Sequence, residues 1–462
     1  MSVAGELRTR TLGATERSWC KAVPGGTGIT VMALLLARPP DADCLQRSLR
    51  RLQINHPILN SKLRFDSPAN SYSYVTSAAP YVEVRRFDLQ LTSEILRNSF
   101  PGEYGSIPPF HLLLEHELNS NTWQNPDHSS DIDLFLSSLY TLEDNRWVAT
   151  IRVHTSVCDR ASALTLLQEL LEMNGGGKGD SEMELGKEIE VNLPIEEYIP
   201  SGQGNKPFWA RGVDVLGYSL NSFRLGNLSF QDTISGRMSR VVRLQIDGEG
   251  TGRILSSCQR NEIKLFELLA AAGLLATHSS KGIPEGQWEK YALVTLMDCR
   301  SVLDPPLCSN HIGFYHSAIL NSHDIKGGED LLELTKRVHS SFETAKSNKK
   351  HFTDMGDVNF LMCKAIENPG LTSMGSLRTS LISVFEDLVI DASNELHKGL
   401  GLEDFIGCSS VHGVGPSIAI FDAIRDGKLD CACVFPFPLH SREQMQELVD
   451  KMKRILLEGT TK

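Results

Sequence analysis

Apolar and polar positions follow two periods along the first third of the chain. Residues 29–37 form an unbroken apolar run that predicts a buried strand, and residues 44–54 repeat leucine at helical spacing. Residues 147–153 alternate with a period of two, which predicts a strand that carries His154 on its other face. From 161 to 174 leucines recur every three or four positions, which predicts a helix. A strand-to-helix turn is therefore expected around residue 157.

The same two periods predict elements in the rest of the chain. The predicted strands are 59–65, 104–114, 240–246, 291–297, 313–320, 380–390 and 429–435. The predicted helices are 262–278, which is alanine-rich and apolar enough to be buried, and 441–457, which is amphipathic. Both halves mix strands with helices, which favours the α/β class.

A stretch without periodicity separates the two halves. Residues 174–207 are rich in Gly, Glu and Pro, which is typical of a linker. A chain of 462 residues exceeds one core of ordinary size, so we expect two domains. We place an N-terminal domain at 1–178, a crossover linker at 179–210 and a C-terminal domain at 211–462.

Composition and charge exclude several classes of protein. A content of 41% hydrophobic and 22% charged residues is ordinary for a globular protein. The net charge of -11, without a Lys/Arg stripe, argues against nucleic-acid binding. Ten scattered cysteines without a C-x-x-C pair favour reduced thiols over disulfides or a zinc site. The start of the chain lacks a signal-peptide core and no early apolar run could span a bilayer, so we expect a cytoplasmic protein.

The stretch VHTSVCDRAS, residues 153–162, contains the candidate chemistry. Its histidine, cysteine and aspartate lie at the predicted strand-to-helix turn. A neutral imidazole is a base suited to neutral pH, so His154 is a candidate general base. The alternative is a strand-end histidine bonded to a backbone carbonyl. Cys158 is a weak candidate nucleophile, because His154 alone could stabilise its thiolate.

Several segments, taken together, resemble the CoA-dependent acyltransferase superfamily, which includes chloramphenicol acetyltransferase, condensation domains and the plant BAHD enzymes. They are RRLQINHPILNSKLRF at 50–65, the VHTSVCDR turn and MDCRSVLDPPLCSNHIGFYHSAI at 297–319. A fainter match, SVHGVGPS at 410–417, keeps two glycines of the plant Asp-Phe-Gly-Trp-Gly motif.

The resemblance implies a fold and a mechanism. The implied fold is two chloramphenicol acetyltransferase-like α/β domains, each a mixed sheet flanked by helices, with a channel between them. The motif histidine of such enzymes takes a proton from a hydroxyl or amine, which then attacks the thioester of acyl-CoA. The motif aspartate forms a structural ion pair, which here would join Asp159 to Arg300.

The sequence departs from the family motif at two positions. Counted from Asp159, the catalytic histidine would stand at Thr155, so His154 lies one residue early. Adjacent strand residues point to opposite faces, and a β-bulge would be needed to return His154 to the channel. Arg160 replaces the motif glycine; it either pairs locally with Asp159, in competition with Arg300, or contacts an anionic substrate group.

The remaining candidates are weaker. Thr155, Arg160 and His412 are possible substrate contacts. Lys349 and Lys350 belong to a basic group that either meets CoA phosphates or forms a solvated helix end. His311 and His316 flank a glycine turn and are expected to be structural. No metal and no bound cofactor are expected, with acyl-CoA as a co-substrate.

The first hypothesis is therefore a monomeric acyltransferase that moves an acyl group from acyl-CoA to a hydroxyl or amine of a small specialised metabolite, with His154 as general base. The alternative is a family member without acyl transfer, which acts as a binding or scaffold protein or catalyses another reaction, such as a cyclisation, in the same cavity. The displaced histidine and the missing glycine motivate this alternative.

Overall fold

The computed structural model describes residues 8–69, 71–124, 130–174, 190–204, 225–284, 286–391 and 394–461. Within the predicted linker, 179–210, it describes 190–204, which contain a short 3₁₀ turn at Ile195–Tyr198. The rest of the predicted linker lies outside the described residues, and the two domain boundaries stay a prediction.

The first half of the chain alternates strands and helices. Its elements are β1 (Thr9–Thr11), α1 (Ala14–Ala22), β2 (Thr27–Leu36), α2 (Ala42–Asn55), β3 (Ser61–Asp66), β4 (Ser71–Thr76), β5 (Val84–Phe87), α3 (Leu89–Ser99), α4 (Pro109–Asn119), β6 (Ile132–Asp133), β7 (Phe135–Thr141), β8 (Trp147–His154) and α5 (Arg160–Asn174). Strands β1, β4, β3 and β6 form a four-stranded sheet in that order. All ten residues of β2 are buried, as its unbroken apolar run predicts.

The second half has the larger sheet. Its elements are β9 (Met238–Ile246), α6 (Gly248–Arg260), α7 (Leu265–Ser280), β10 (Trp288–Asp298), β11 (His316–Lys326), α8 (Leu331–Ser347), α9 (Lys350–Thr353), α10 (Met355–Glu367), β12 (Arg378–Phe385), β13 (Val389–Asp391), α11 (Asn394–Leu400), β14 (Leu402–Val411), β15 (Gly415–Arg425), β16 (Lys428–Phe437) and α12 (Arg442–Gly459). A seven-stranded sheet has the order β11-β10-β12-β15-β16-β9, with β13 beside β15. Helix α7 is buried along nearly its whole length, which confirms the prediction of a buried apolar helix.

Strand β14 joins the two halves. It pairs antiparallel with β2, from Leu402 opposite Leu36 to Val411 opposite Thr27. The five-stranded sheet of the first half therefore has the order β14-β2-β8-β7-β5 and contains a strand from the second half. We call the part built on this sheet the N-terminal lobe and the part built on the seven-stranded sheet the C-terminal lobe.

Both large sheets are mixed. In the N-terminal lobe β5 and β7 are parallel while the other pairs are antiparallel. In the C-terminal lobe β12 is parallel to both β10 and β15, and the outer pairs of the main path are antiparallel. Helices flank these sheets, so the predicted α/β class with mixed sheets is confirmed.

The predicted strand at 104–114 is wrong, because this part of the chain leads into helix α4. Pro108 and Pro109 precede and begin the helix, where a missing N–H is harmless. Leu112, Leu113 and Leu114 are all fully buried. A helix buried on every side has no polar stripe, so its apolar run resembles that of a buried strand.

Candidate active site

A cavity of about 560 Å³ lies between the lobes. The N-terminal lobe contributes residues of α1, β2, β14 and the turn between β8 and α5, and the C-terminal lobe contributes residues of β11, β12, β15 and α10. Its apolar lining includes Trp19, Met32, Leu167, Leu296, Phe314, Met355, Phe360, Phe385, Phe405 and Phe421. This size and lining are typical of a small-molecule site.

His154 points away from this cavity. Strand β8 keeps an unbroken register with β2 up to the pair of His154 with Ile29, so no bulge turns the side chain round. The imidazole Nδ1 accepts a hydrogen bond from the backbone N–H of Ser156 at 3.2 Å, and Trp123 packs edge-on against the ring. Burial lowers the pKa of His154 to about 3. The prediction that His154 reaches the channel as a base is therefore wrong for this geometry.

Thr155 takes the cavity side of the turn. Its hydroxyl donates to the carbonyl of Gly28 at 2.6 Å and lies 2.9 Å from the hydroxyl of Thr30. Thr30 in turn lies 2.8 Å from the hydroxyl of Ser409, so a row of hydroxyls runs along the cavity wall from the turn after β8 across β2 to β14. A threonine hydroxyl is no base near neutral pH, so this row can offer hydrogen bonds but cannot accept a proton for catalysis. A substrate contact of Thr155 stays a prediction.

The predicted pair of Asp159 and Arg300 is present at the base of the cavity. Arg300 Nη2 lies 3.0 Å from Oδ2 of Asp159, and both side chains are buried. The N–H of Tyr315 donates to Oδ2 at 2.7 Å, and the N–H of Ser162 donates to Oδ1 at 2.8 Å. Burial alone would raise the pKa of Asp159, but the charge of Arg300 and the contact with His316 hold it below its usual range. Arg300 follows β10 of the C-terminal lobe, and Asp159 belongs to the 155–160 turn of the N-terminal lobe. The ion pair therefore holds this turn against the C-terminal lobe.

His316 lies on the cavity wall beside this pair. It is the first residue of β11, and its Nδ1 lies 3.1 Å from Oδ2 of Asp159. The sequence pattern predicts a structural role for His316 and misses this position. Alternation along β11 does not mark this position, because the consecutive residues His316, Ser317 and Ala318 all line the cavity.

Carboxylates and a histidine converge here in a way that resembles a metal site. Ligand atoms of Asp159, Asp298 and His316 lie within 4.8 Å of one another. Arg300 contacts both carboxylates, with Nη1 at 2.8 Å from Oδ1 of Asp298. The guanidinium of Arg300 thus supplies the positive charge that balances these two carboxylates.

Arg160 pairs with a residue that sequence spacing does not reveal. Its Nη2 lies 3.0 Å from Oδ1 of Asp422 on β15, and Nη2 also donates to the Asp422 carbonyl. The guanidinium stacks 4.5 Å from the ring centroid of Phe385. The predicted local pair with Asp159 is therefore wrong, because the side chain extends across the cavity to the C-terminal lobe. Arg160 lines the cavity, and its contact with an anionic substrate group stays a prediction.

His412 lies behind the cavity wall. Its Nδ1 is 3.0 Å from the hydroxyl of Ser239, and its ring fills the space where a side chain on Gly26 would stand. Burial, followed by the nearby arginines, lowers the pKa of His412 to about 4. The prediction of a substrate contact by His412 is wrong, since its neighbours Val411 and Val414 line the cavity while His412 does not.

The lysine pair lies on the surface outside the cavity. Lys349 and Lys350 are exposed at the start of α9, and Nζ of Lys350 lies 4.0 Å from Asp354. This short helix contacts α10, whose residues line the cavity. Their binding to CoA phosphates stays a prediction.

Cys158 is buried and its thiol faces the carbonyl of Asp159. Burial, followed by the charge of Asp159, raises the pKa of this thiol well above its ordinary value. A neutral thiol is a poor nucleophile, so the geometry gives Cys158 a packing role at the turn.

Comparison with known proteins supports the resemblance. Residues 235–347 match the family model described as phthiocerol/phthiodiolone dimycocerosyl transferase C-terminus. No curated protein matches the chain in sequence. Within the described residues, helices that combine the length and the apolarity needed to cross a bilayer do not occur.

Solved structures match over almost the whole chain. Polyketide synthase associated protein 5 from Mycobacterium tuberculosis is 15% identical with a TM-score of 0.68, and the match covers 98% of each chain. A trichothecene 15-O-acetyltransferase from Fusarium sporotrichioides is 11% identical with a TM-score of 0.71, covering 99% of this chain and 96% of that one. The condensation domain of a monacolin K polyketide synthase is 10% identical with a TM-score of 0.64, covering 98% of each.

These matches have in common two lobes with a mixed sheet in each, and the family model matches within the C-terminal lobe. The chain therefore has the two-lobed fold of these acyltransferases and condensation domains.

Proposed function

We propose that this protein transfers an acyl group from acyl-CoA to a hydroxyl or amine of a small, mainly apolar specialised metabolite. The observation that carries the proposal is the apolar cavity of about 560 Å³ between the lobes, which the 155–160 turn borders. Family relatives with acyltransferase names share the fold. The proposal describes a monomeric cytoplasmic enzyme.

The cavity suits an apolar acceptor or acyl chain. Its volume falls in the range of about 300–1,000 Å³ that is common for pockets of drug-sized ligands. Aromatic side chains from both lobes, among them Trp19, Phe314 and Phe421, would bury such a ligand. A wall of this kind excludes water, which favours transfer to the acceptor over hydrolysis of the thioester.

Ser380 is the candidate donor to the oxyanion that forms when the acceptor attacks the thioester carbonyl. It lies on β12 and lines the cavity, with a relative exposure of 4%. Its hydroxyl has no hydrogen-bond partner among the described residues. A buried hydroxyl without a partner costs free energy unless a ligand pairs with it.

The test is release of the free CoA thiol from a panel of acyl-CoAs, from acetyl to long-chain, with a library of apolar alcohols and amines. We expect acceptor-dependent thiol release and a Ser380→Ala variant slower by about 10-fold to 1,000-fold. Ser340→Ala is the matched control, because that hydroxyl bonds a helix carbonyl on the surface of α8. Thiol release that does not depend on any acceptor, or none at all, would contradict acyl transfer.

The second candidate function is binding, or another reaction, without acyl transfer. Its motive is Thr155, which stands on the cavity wall where the family motif has its catalytic histidine. A parent protein that binds apolar ligands without releasing thiol, together with a Thr155→His variant that gains turnover, would favour this function.

A further inference from the structure

We propose that His316 is the general base of this site and that Asp159 is its positioning residue. This inference rests on the acyl transfer proposed above, and it moves the base from the strand-end motif to the start of β11. Three observations support it: His316 lines the cavity, its Nδ1 lies 3.1 Å from a carboxylate oxygen, and that carboxylate is held from several sides.

The position of the carboxylate determines which nitrogen is free. Asp159 receives the N–H groups of Ser162 and Tyr315 as well as Arg300, so its oxygens cannot swing away from the imidazole. Nδ1 lies 3.1 Å from Oδ2 of Asp159 without the angle of a hydrogen bond, and the charge of this carboxylate favours the tautomer that carries its proton on Nδ1. Nε2 then keeps its lone pair, because the charged neighbour of the ring lies at Nδ1. Nε2 is the ring atom left for a substrate in the cavity.

Neighbouring groups fix the ring. Phe314 lies 6.3 Å from the His316 ring centroid and Phe385 lies 6.2 Å from it, edge-on. Phe385 also stacks with Arg160 across the cavity. The imidazole therefore stands between two aromatic side chains that line the same space, where a bound acceptor would meet it.

The step balances without a further reactant. Nε2 takes the proton of the acceptor hydroxyl or amine as the oxygen or nitrogen forms a bond to the thioester carbonyl carbon. The tetrahedral intermediate collapses, the carbon–sulfur bond breaks, and the imidazolium returns the proton to the thiolate. The products are an ester or amide and the free thiol. The carboxylate of Asp159 stabilises the imidazolium between the two proton transfers.

The two residues of the family motif cannot take this role here. His154 is bonded on the far side of β8, with its Nδ1 occupied by Ser156. Thr155 faces the cavity, but its hydroxyl donates to Gly28. His316 places an imidazole on the cavity wall, whereas the residues of the 155–160 turn that line the cavity have none.

The kinetic test compares three histidine variants in the CoA-thiol assay. His316→Gln should lower kcat by about 100-fold or more, the usual contribution of a general base. His323→Gln is the matched control, because His323 is also buried on β11 but is not on the cavity wall. We expect His323→Gln and His154→Gln to stay within a few-fold of the parent. A His316→Gln variant that keeps parental kcat, or a loss found in His154→Gln instead, would overturn the proposal.

A second measurement does not depend on turnover. In ¹⁵N-histidine NMR spectra, the His316 signals are those that disappear in His316→Gln. We expect His316 to be the Nδ1–H tautomer in the parent. In Asp159→Asn we expect this tautomer to be no longer preferred over the Nε2–H tautomer. Signals that show the proton on Nε2 would overturn the assignment even if acyl transfer is found. A parent without any acyl transfer would instead contradict the proposed function, and a Nδ1–H tautomer would then still support the pairing with Asp159.

Discussion

The buried carboxylate of Asp159 serves two partners with one pair of oxygens. Arg300 contacts both oxygens, at 3.0 and 3.1 Å, and the His316 imidazole approaches Oδ2. The positive charge of Arg300 keeps the aspartate ionised despite burial. An ionised aspartate can both close the contact between the lobes and orient a neighbouring imidazole.

Replacing Asp159 with asparagine should lower the free energy of unfolding by about 3–5 kcal/mol. The reason is that Arg300, buried at the lobe contact, loses one of its two carboxylates and keeps its charge. Urea unfolding followed by circular dichroism measures the change. Asp298→Asn is the control, because it removes the other, more exposed carboxylate of the same arginine and should cost less. An equal loss in the two variants would contradict the reasoning.

Arg160 and Asp422 form a second buried pair across the cavity, with side-chain exposures of 11% and 2%. We expect Arg160→Met to destabilise the protein by about 3 kcal/mol or more, since it leaves the Asp422 carboxylate without its counter-ion. The double variant Arg160→Met with Asp422→Leu should recover most of that loss, because apolar groups can replace a buried pair at little cost. Thermal unfolding of the four proteins gives the double-mutant cycle. Additive losses would show that the two side chains do not interact.

Single residues also show how far sequence reasoning reaches. The spacing from Asp159 indicates that Thr155 stands in the histidine's position, and the structure places Thr155 on the cavity wall, directly after the unbroken register of β8. The partner of Arg160 was out of reach, since Asp422 is 262 positions away in the chain. His316 was missed because its importance depends on where β11 lies beside the turn, which is a tertiary fact.

At the level of elements, β14 is the strand that most closely couples the lobes. It completes the sheet of the N-terminal lobe although it is followed in the chain by β15 and β16 of the other sheet. Asp404 on β14 contacts Arg243 on β9, and also Arg425 on β15 at 2.6 Å. Asp430 on β16 contacts the same two arginines. Four strands of two sheets thus meet in one cluster of alternating charges.

Asp404→Asn should therefore lower the free energy of unfolding by about 2–3 kcal/mol, less than a fully buried pair because these side chains are 10–20% exposed. The adjacent Glu403 offers a matched control. Its carboxylate lies 3.4 Å from Arg146, and both side chains are more than a third exposed. Glu403→Gln should therefore cost less than about 1 kcal/mol. Denaturant unfolding distinguishes the two, and equal costs would contradict a role for the cluster.

Two of the strands that sequence patterns do not predict line the cavity. Strands β14 and β15, Leu402–Val411 and Gly415–Arg425, were not predicted, because Gly407, Ser409 and Ser410 interrupt the apolar pattern of β14. The hydroxyls there face the cavity instead of the core. Strands that line a binding site lose the alternation that core packing imposes, and periodicity alone cannot identify them.

At the scale of the whole molecule, buried histidines couple stability to pH. Burial is the main cause that lowers the pKa of six of them to about 3 or 4: His111, His154, His323, His351, His412 and His440. Burial raises the pKa of three glutamates, which therefore favour the folded protein as the pH falls: Glu16, Glu115 and Glu267. The histidines are more numerous and begin to titrate at higher pH in the unfolded chain, near pH 6.5.

We expect stability to fall as pH drops from about 6.5 to about 4. In that range the unfolded chain takes up protons on these histidines while the folded protein does not, so each contributes about 1.4 kcal/mol of destabilisation per pH unit. Six together would remove a typical stability of about 5–15 kcal/mol within roughly two pH units. Urea midpoints measured at half-unit steps test this, with a His154→Gln, His440→Gln double variant expected to show a slope shallower by about a third. A midpoint that stays constant down to pH 5, or a double variant with the parental slope, would show that these imidazoles are not held neutral by the fold.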